Sequence, residues 1–259
     1  MPAKLYKNLI IIILSGLLNT FFISCKENNM AVKKIKGQQI EVNETSVADS
    51  SFTQIIAPYK SELQNKINKI LCYNPQTLSR EEAALESSLG NFYADVCFQK
   101  ADSIFKNKTG QSIDFSLFNY GGIRTAIPKG HIKVKNIFEL MPFENKLVIT
   151  ELTGAQTQKL FNYLEERQEA HPVSNVQLEM KADKLHKILI NGQAFDPSKN
   201  YFVLTHDYLQ HGGDHMDFFK DPVNLFSTEY KVRDALIDYL STVDTLRFKL
   251  DGRFIKVIE

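Results

Sequence analysis

Apolar and polar positions divide the chain into three stretches. Lys4 and Lys7 precede an apolar run from Leu9 to Ile23, interrupted by Ser15, Gly16, Asn19 and Thr20, and polarity rises sharply at Lys26. A positive start, a short apolar stretch and a small residue before polar sequence follow the order of a secretory signal. The run is shorter than the ~20 residues that span a bilayer comfortably. Residues 26–48 are polar and hold few large apolar groups. Such a segment buries too little surface to offset the entropy of ordering it, and a tether is expected.

The pattern from about residue 49 onward predicts a folded domain. Phe52, Ile55, Ile56, Tyr59, Leu63 and Ile67 fall on one helical face, with Asp49 or Ser51 able to cap its start. Ile67–Tyr73 reads as a first strand, ended by Asn74-Pro75. Glu86–Phe105 is the most regular helical stretch, lined by Leu89, Phe92, Val96 and Ile104, with Lys100, Lys106 and Lys108 toward its C-terminal end and Gly110 as its stop. Asp114–Phe118 is a short strand. Ile137–Met141 reads as a short helix and Lys146–Leu152 as a strand. Thr153 then caps a helix through Glu166. Val176–Met180 and Leu185–Ile190 read as paired strands with Asn191-Gly192 as the next turn, and Tyr201–Thr205 as a buried strand. Glu229–Leu240 reads as a helix and Arg253–Ile258 as a closing strand. Mixed strands and helices without a repeat predict a single α+β (mixed α/β) domain of layered sheets and helices. The expected organisation is a signal at 1–24, a tether at 25–48 and one domain at 49–259.

Composition changes this picture little. The 259 residues are 43% hydrophobic and 24% charged, ordinary for a globular protein. A net charge of +1 supplies no long-range field to recruit nucleic acid, and no nucleic-acid partner is expected. Cys25 sits at the end of the leader, which leaves Cys72 and Cys97 for the body. They are read as two buried thiols, with a disulfide open in an oxidising compartment.

Candidate chemistry is concentrated around glycine. Leu89-Gly90-Asn91, with Asp95, opens the long helix. Asn119-Tyr120-Gly121-Gly122-Ile123-Arg124 puts a cation just after a glycine turn, where it suits a phosphate or polyol. Tyr208-Leu209-Gln210-His211-Gly212-Gly213-Asp214 puts an aromatic ring and a carboxylate around a second glycine pair, and Phe143 in Pro142-Phe143-Glu144-Asn145 adds another ring. Taken singly, both rings read as core packing. His206, His211 and His215 lie close in sequence to Asp207, Asp214 and Asp217, a donor set that zinc accepts. No HExxH spacing accompanies them, and the glycine pair breaks any shared helix.

Two resemblances sharpen these readings. Phe22-Ile23-Ser24-Cys25 resembles the lipobox of bacterial lipoproteins. It implies cleavage before Cys25, lipidation of that cysteine and anchoring in the outer membrane on the periplasmic or cell-surface face. In the same order, the LGN helix start, the GGIR turn, the PF-x-N loop and the GGD loop resemble the C-terminal, substrate-binding domain of the 5′-nucleotidases, from about Phe52 onward. The resemblance implies that Phe143 and Tyr208 stack on the two faces of a nucleobase. It further implies that Asp214 holds the ribose hydroxyls, that Asn119 and Arg124 hold the sugar or phosphate side, and that Asn145 joins this substrate-binding set. The family usually has Phe where Tyr208 stands. Ala83 stands seven positions before Gly90, where the family carries a phosphate-contacting arginine, and Arg80 is expected one helical turn away.

The family's enzymes hold two metal ions in an N-terminal domain. Upstream of Phe52 the sequence reads only as signal and tether, so no catalytic residue, metal or other cofactor is assigned here. Divalent metals are expected on a separately encoded metallophosphoesterase partner, and the expected ligand is a nucleoside or nucleoside monophosphate. The alternatives are a self-sufficient metal hydrolase using the 206–217 cluster and a non-catalytic pseudoenzyme.

Overall fold

The computed structural model describes Tyr6, Lys7, Ile10, Ile13 and residues 32–257. Most of the leader, including Cys25, lies outside the described residues. The chain divides into two compact units, Met1–Ser50 and Ser51–Glu259. In the first, residues 32–42 are exposed and carry no regular secondary structure, and one turn follows in which the Asn43 side chain accepts from the Thr45 amide at 3.0 Å. Among the described residues no helix is long and apolar enough to cross a membrane.

Helix α1 spans Ser50–Ile67 as its periodicity predicts, but none of its residues is buried. Its apolar stripe of Phe52, Ile55, Ile56, Tyr59 and Leu63 remains exposed. The next elements are β1 (Ile70–Asn74), α2 (Ser88–Thr109), β2 (Phe115–Leu117), β3 (Gly130–Lys133) and α3 (Val134–Leu140). They are followed by β4 (Lys146–Leu152), α4 (Gly154–Arg167), β5 (Val173–Ser174), β6 (Val176–Lys181), β7 (Lys184–Ile190) and β8 (Gln193–Ala194). The chain continues with β9 (Tyr201–His206), α5 (Asp207–Gln210), β10 (Asn224–Lys231), α6 (Val232–Leu240) and β11 (Phe254–Lys256).

A five-stranded sheet in the order β10-β4-β9-β2-β5 is the centre of the domain. β4 pairs antiparallel with both β9 and β10, whereas β2 runs parallel to β9. The sheet has core on both faces, and side chains alternate between them with the two-residue period of a strand. On β9, Leu204 joins a cluster with Phe92, Val96, Phe105 and Leu236 from α2 and α6, while Val203 joins one with Leu160, Phe161 and Leu164 from α4. On β4, Leu147 and Ile149 face the first cluster and Leu152 the second. A smaller sheet, β11-β6-β7-β8, contributes Leu178, Met180 and Phe254 to the second cluster, and β1 pairs with β3. This is the mixed, layered architecture expected.

Local signals act where predicted. Thr153 forms a capping box with Gln156 at the start of α4. Gly110 ends α2 at φ +76°, and Asn191 and Gly192, both at positive φ, close the two-residue β7–β8 turn. Cys72 and Cys97 are buried free thiols. Burial pushes the Cys72 thiol up to about 11 and moves Cys97 in the same direction.

Several boundaries differ from expectation: α3 spans Val134–Leu140 rather than Ile137–Met141, and α2 runs to Thr109 rather than Phe105. β1 starts at Ile70 rather than Ile67, because α1 continues to Ile67. α2 starts at Ser88 rather than Glu86, since the Ser87 side chain accepts from the Gly90 amide and fixes the cap there. The helix read from Glu229 starts at Val232, and the residues before it form β10, the edge strand beside β4. Pairing with β4 overrides the local helical pattern, and the strand bulges between Ser227 and Lys231, with Glu229 at φ +57°.

Candidate functional site

The residues singled out around the glycine turns line one cavity of about 300 Å³: Asn119, Gly121, Gly122, Arg124, Phe143, Asn145, Tyr208 and Asp214. They arrive on three connections at one end of the central sheet. Asn119–Arg124 follows β2, Phe143–Asn145 precedes β4, and Tyr208–Asp214 follows β9. Phe143 is 43% exposed and Tyr208 46% exposed. Neither ring is core packing, the reading each would carry on its own. Two large aromatic rings half in solvent beside one cavity are a surface on which a planar group can stack.

Two glycines give this cavity its shape. A Cβ on Gly122 would lie 2.7 Å from Asn119 Oδ1, and one on Gly213 would lie 2.4 Å from the Tyr208 ring. Both are approaches that a side chain would block.

The carboxylate of Asp214 is the electrostatic centre. Its Oδ1 accepts from the Tyr208 hydroxyl at 2.8 Å and its Oδ2 from Asn119 Nδ2 at 2.6 Å. The hydrogen bond to Asp214 raises the Tyr208 phenol above its usual range, with burial adding to the effect. Asp214 sits at φ +53°, and Tyr163 donates to its carbonyl at 3.1 Å. Arg124 is exposed and donates to the Gly121 carbonyl at 3.2 Å, which leaves most of its guanidinium donors to the cavity.

The Phe143 loop is held from α6, a contact the sequence reading missed. Buried Arg233 donates to the carbonyls of Met141 at 3.4 Å and Phe143 at 3.2 Å, and pairs with Glu144. Lys231 pairs with the same carboxylate at 2.5 Å. Hydrogen bonds from Lys231 and Arg233 hold the Glu144 carboxyl down at about 2. The Val232 amide donates to the Asn145 carbonyl at 3.0 Å.

Some singled-out residues lie elsewhere. Asn91 of the LGN motif donates to Glu86 at 2.7 Å and to the Lys249 carbonyl at 3.0 Å, joining α2 to the C-terminal segment. Asp95 forms a two-pronged ion pair with Arg253. Arg80 is not one helical turn from Ala83, because residues 80–87 form bends and irregular chain rather than helix. Its guanidinium lies 4.5 Å from the Tyr120 ring centroid and donates to the Ile123 carbonyl at 2.7 Å, facing a different groove.

The 206–217 cluster does not converge as a ligand set. His206 is fully buried and both its ring nitrogens face protein partners, while His211 Nδ1 lies 2.6 Å from the Asp207 carbonyl. Among the described residues no group of three or more His, Cys, Asp or Glu side chains is placed to hold a metal ion.

Comparison with known proteins identifies the family of the domain. A family model described as 5′-nucleotidase, C-terminal domain, matches residues 66–221. An apyrase from Tabanus yao is 24% identical over 219 residues, 76% of this chain and 39% of the relative. UshA from Escherichia coli strain K12 is 30% identical over 149 residues, 54% of this chain and 26% of the relative. Among solved structures, a 5′-nucleotidase precursor from Thermus thermophilus superposes with a TM-score of 0.67 at 23% identity, covering 80% of this chain and 43% of its own. The NAD nucleotidase NadN of Haemophilus influenzae gives a TM-score of 0.62 at 16% identity, covering 81% of this chain and 42% of its own. At these identities the superpositions speak for the fold alone, and the chain spans less than half the length of each of these relatives. The matched stretch covers most of the folded domain and includes all six residues expected to bind substrate, and the chain belongs to the 5′-nucleotidase C-terminal domain family.

Proposed function

We propose that this domain binds a nucleoside or nucleoside monophosphate and presents it to a metallophosphatase on a separate chain, in nucleotide catabolism or the scavenging of phosphate and nucleosides. The observation that carries this reading is the pair of half-exposed rings, Phe143 and Tyr208, on one cavity with the Asp214 carboxylate. A planar base fills the space between the rings. Base–aromatic stacking contributes about 1–3 kcal/mol per base. An ionised carboxylate offers about four lone-pair positions. Tyr208 and Asn119 occupy one on each Asp214 oxygen. One on each remains for the two hydroxyls of a ribose diol. Arg124 provides the cation for the phosphate side, and Asn145 a polar contact at the Phe143 end of the slot. A curated relative named as an apyrase, together with the match to the 5′-nucleotidase C-terminal domain family, supports a nucleotide as the ligand.

Phosphomonoester hydrolysis needs a nucleophile and neutralisation of the transferred group, which two-metal sites supply. The slot residues offer positioning, and positioning gains its value beside such a centre. We assign the metals to the partner. The lipobox-like Phe22-Ile23-Ser24-Cys25 supports anchoring of this chain through lipidated Cys25 in the outer membrane. Assay of the purified chain with nucleoside monophosphates, alone and with a cognate metallophosphatase, tests the division of labour. Turnover is expected only in the mixture, with much of it removed by Phe143→Ala. Metal-dependent hydrolysis by the chain alone, abolished by changes at His211 or His215, would instead establish a self-sufficient hydrolase.

A further inference from the structure

His206 lies beneath the slot without lining it, and its surroundings fix its chemistry step by step. An ionised carboxylate only accepts hydrogen bonds, so the Asn119 group 2.6 Å from Asp214 Oδ2 is its NH2. Asn119 therefore turns its carbonyl oxygen the other way, toward His206 Nε2 at 3.2 Å. That nitrogen must carry the proton. His206 Nδ1 is then the acceptor, and the two groups facing it are donors: the Leu209 amide at 3.4 Å and Asn145 Nδ2 at 3.5 Å. One neutral tautomer satisfies every partner. The ring is wholly buried, and the surrounding rings of Phe118 and Tyr208 stand at 5.8 and 6.0 Å. Burial holds its pKa down at about 3, in keeping with a ring that stays neutral.

We propose that His206 is a positioning residue of the slot. It orients Asn119, which in turn fixes the Asp214 carboxylate toward the ribose, and it accepts from Asn145 on the Phe143 side. Asn119 is itself buried, and its amide is held at both ends, Nδ2 by the Asp214 carboxylate and Oδ1 by His206, with Gly122 packed close beside the oxygen. Without His206 the Asn119 oxygen loses its donor, Asp214 alone holds the amide, and the donor on Oδ2 is less firmly placed. The ribose contact then weakens while the stacking rings remain. The proposal rests on the nucleoside reading of the slot.

His206→Phe keeps a ring of similar size and removes both nitrogens, whereas His206→Gln can donate to Asn119 and accept from Leu209. The most tightly bound of adenosine, guanosine, cytidine and uridine is titrated into each protein, alongside its 2′,3′-dideoxy counterpart. His206→Phe should lower the preference for the riboside by about 5-fold or more, with the dideoxy compound little affected, and His206→Gln should restore most of it. NMR of the Asn119 side-chain amide in the ligand-free proteins provides an independent reading. Its resonances should move in His206→Phe and stay close to the original in His206→Gln. Equal loss for both ligands, or an unchanged riboside preference with an unmoved Asn119 amide, overturns the proposal. Should the unmodified chain bind no nucleoside, the nucleoside reading fails and the Asn119 amide alone decides the role of His206.

Discussion

The Tyr208 hydroxyl donates to Asp214 Oδ1 at 2.8 Å, so the residue proposed to stack on the base also holds the carboxylate at the slot's edge. A phenylalanine at this position, the usual residue in the family that the motifs resemble, lacks that link. Tyr208→Phe keeps the ring and should retain stacking. It removes one hydrogen bond to a charged group, and affinity for ribosides should fall by roughly 1–2 kcal/mol. Affinity for the free base should change little. Calorimetry with a riboside and its base reads the difference.

Two buried histidines predict acid sensitivity. Burial depresses His206 to about 3 and His171 to about 4, against ordinary values near 6.5. The unfolded chain therefore binds more protons than the folded chain between those values, and stability rises with pH across that window. It is fully present above about 6.5 and is lost as pH falls toward 4 and then 3. Asp214 favours the charged form of both rings, and beside His171 Arg167 opposes it. Glu169 lies 3.5 Å from His171 Nε2. Burial outweighs these influences. The loss between pH 7 and pH 4 is on the order of 5 kcal/mol. Thermal melts at half-unit pH intervals measure it, and an unchanged midpoint from pH 7 to pH 4 contradicts it.

Arg233 predicts a stability change that carries through to binding. Arg233→Met keeps much of the aliphatic volume and removes the donors to the Met141 and Phe143 carbonyls and to Glu144. Loss of bonds made by a buried charged donor should lower stability by about 1–3 kcal/mol. With its loop released, Phe143 should also stack less well. A denaturant series gives the first quantity, and riboside titration at a temperature where the variant is fully folded gives the second.

Cys25 is the position expected to carry lipid. Cys25→Ala should move the protein from the membrane fraction to the soluble fraction of the exported pool. Fractionation of cells expressing each form is the check, and unchanged membrane retention contradicts lipidation.

The slot was legible in the sequence because its parts are local. Asn119 to Arg124, Phe143 to Asn145, and Tyr208 to Asp214 each form a short run with its own turn chemistry. What holds those runs was not legible, since it comes from far along the chain. Arg233 reaches the Phe143 carbonyl from 90 positions away, and His206 meets Asn119 across 87. In the sequence His206 reads only as one of three nearby histidines. Its place at the end of a buried strand was the available sign that it belongs under the slot rather than in a metal cage. The LGN segment misled in the opposite direction. Asn91 sits beside a glycine but serves packing, through Glu86 and the Lys249 carbonyl. β10 was hidden because Glu229 to Leu240 carries a helical pattern, and only an unpaired edge of β4 makes a strand of the residues before it.

The central claim is that the paired rings and Asp214 form a nucleoside site in this chain. The most direct measurement is titration calorimetry of the purified protein with common ribonucleosides, repeated for Phe143→Ala and Asp214→Ala. The account predicts binding by the unmodified chain, weakened roughly 5- to 150-fold by Phe143→Ala as about 1–3 kcal/mol of stacking is lost. Asp214→Ala should weaken ribosides and leave free bases nearly unaffected. Absence of binding to any ribonucleoside, or binding indifferent to both substitutions, would contradict it.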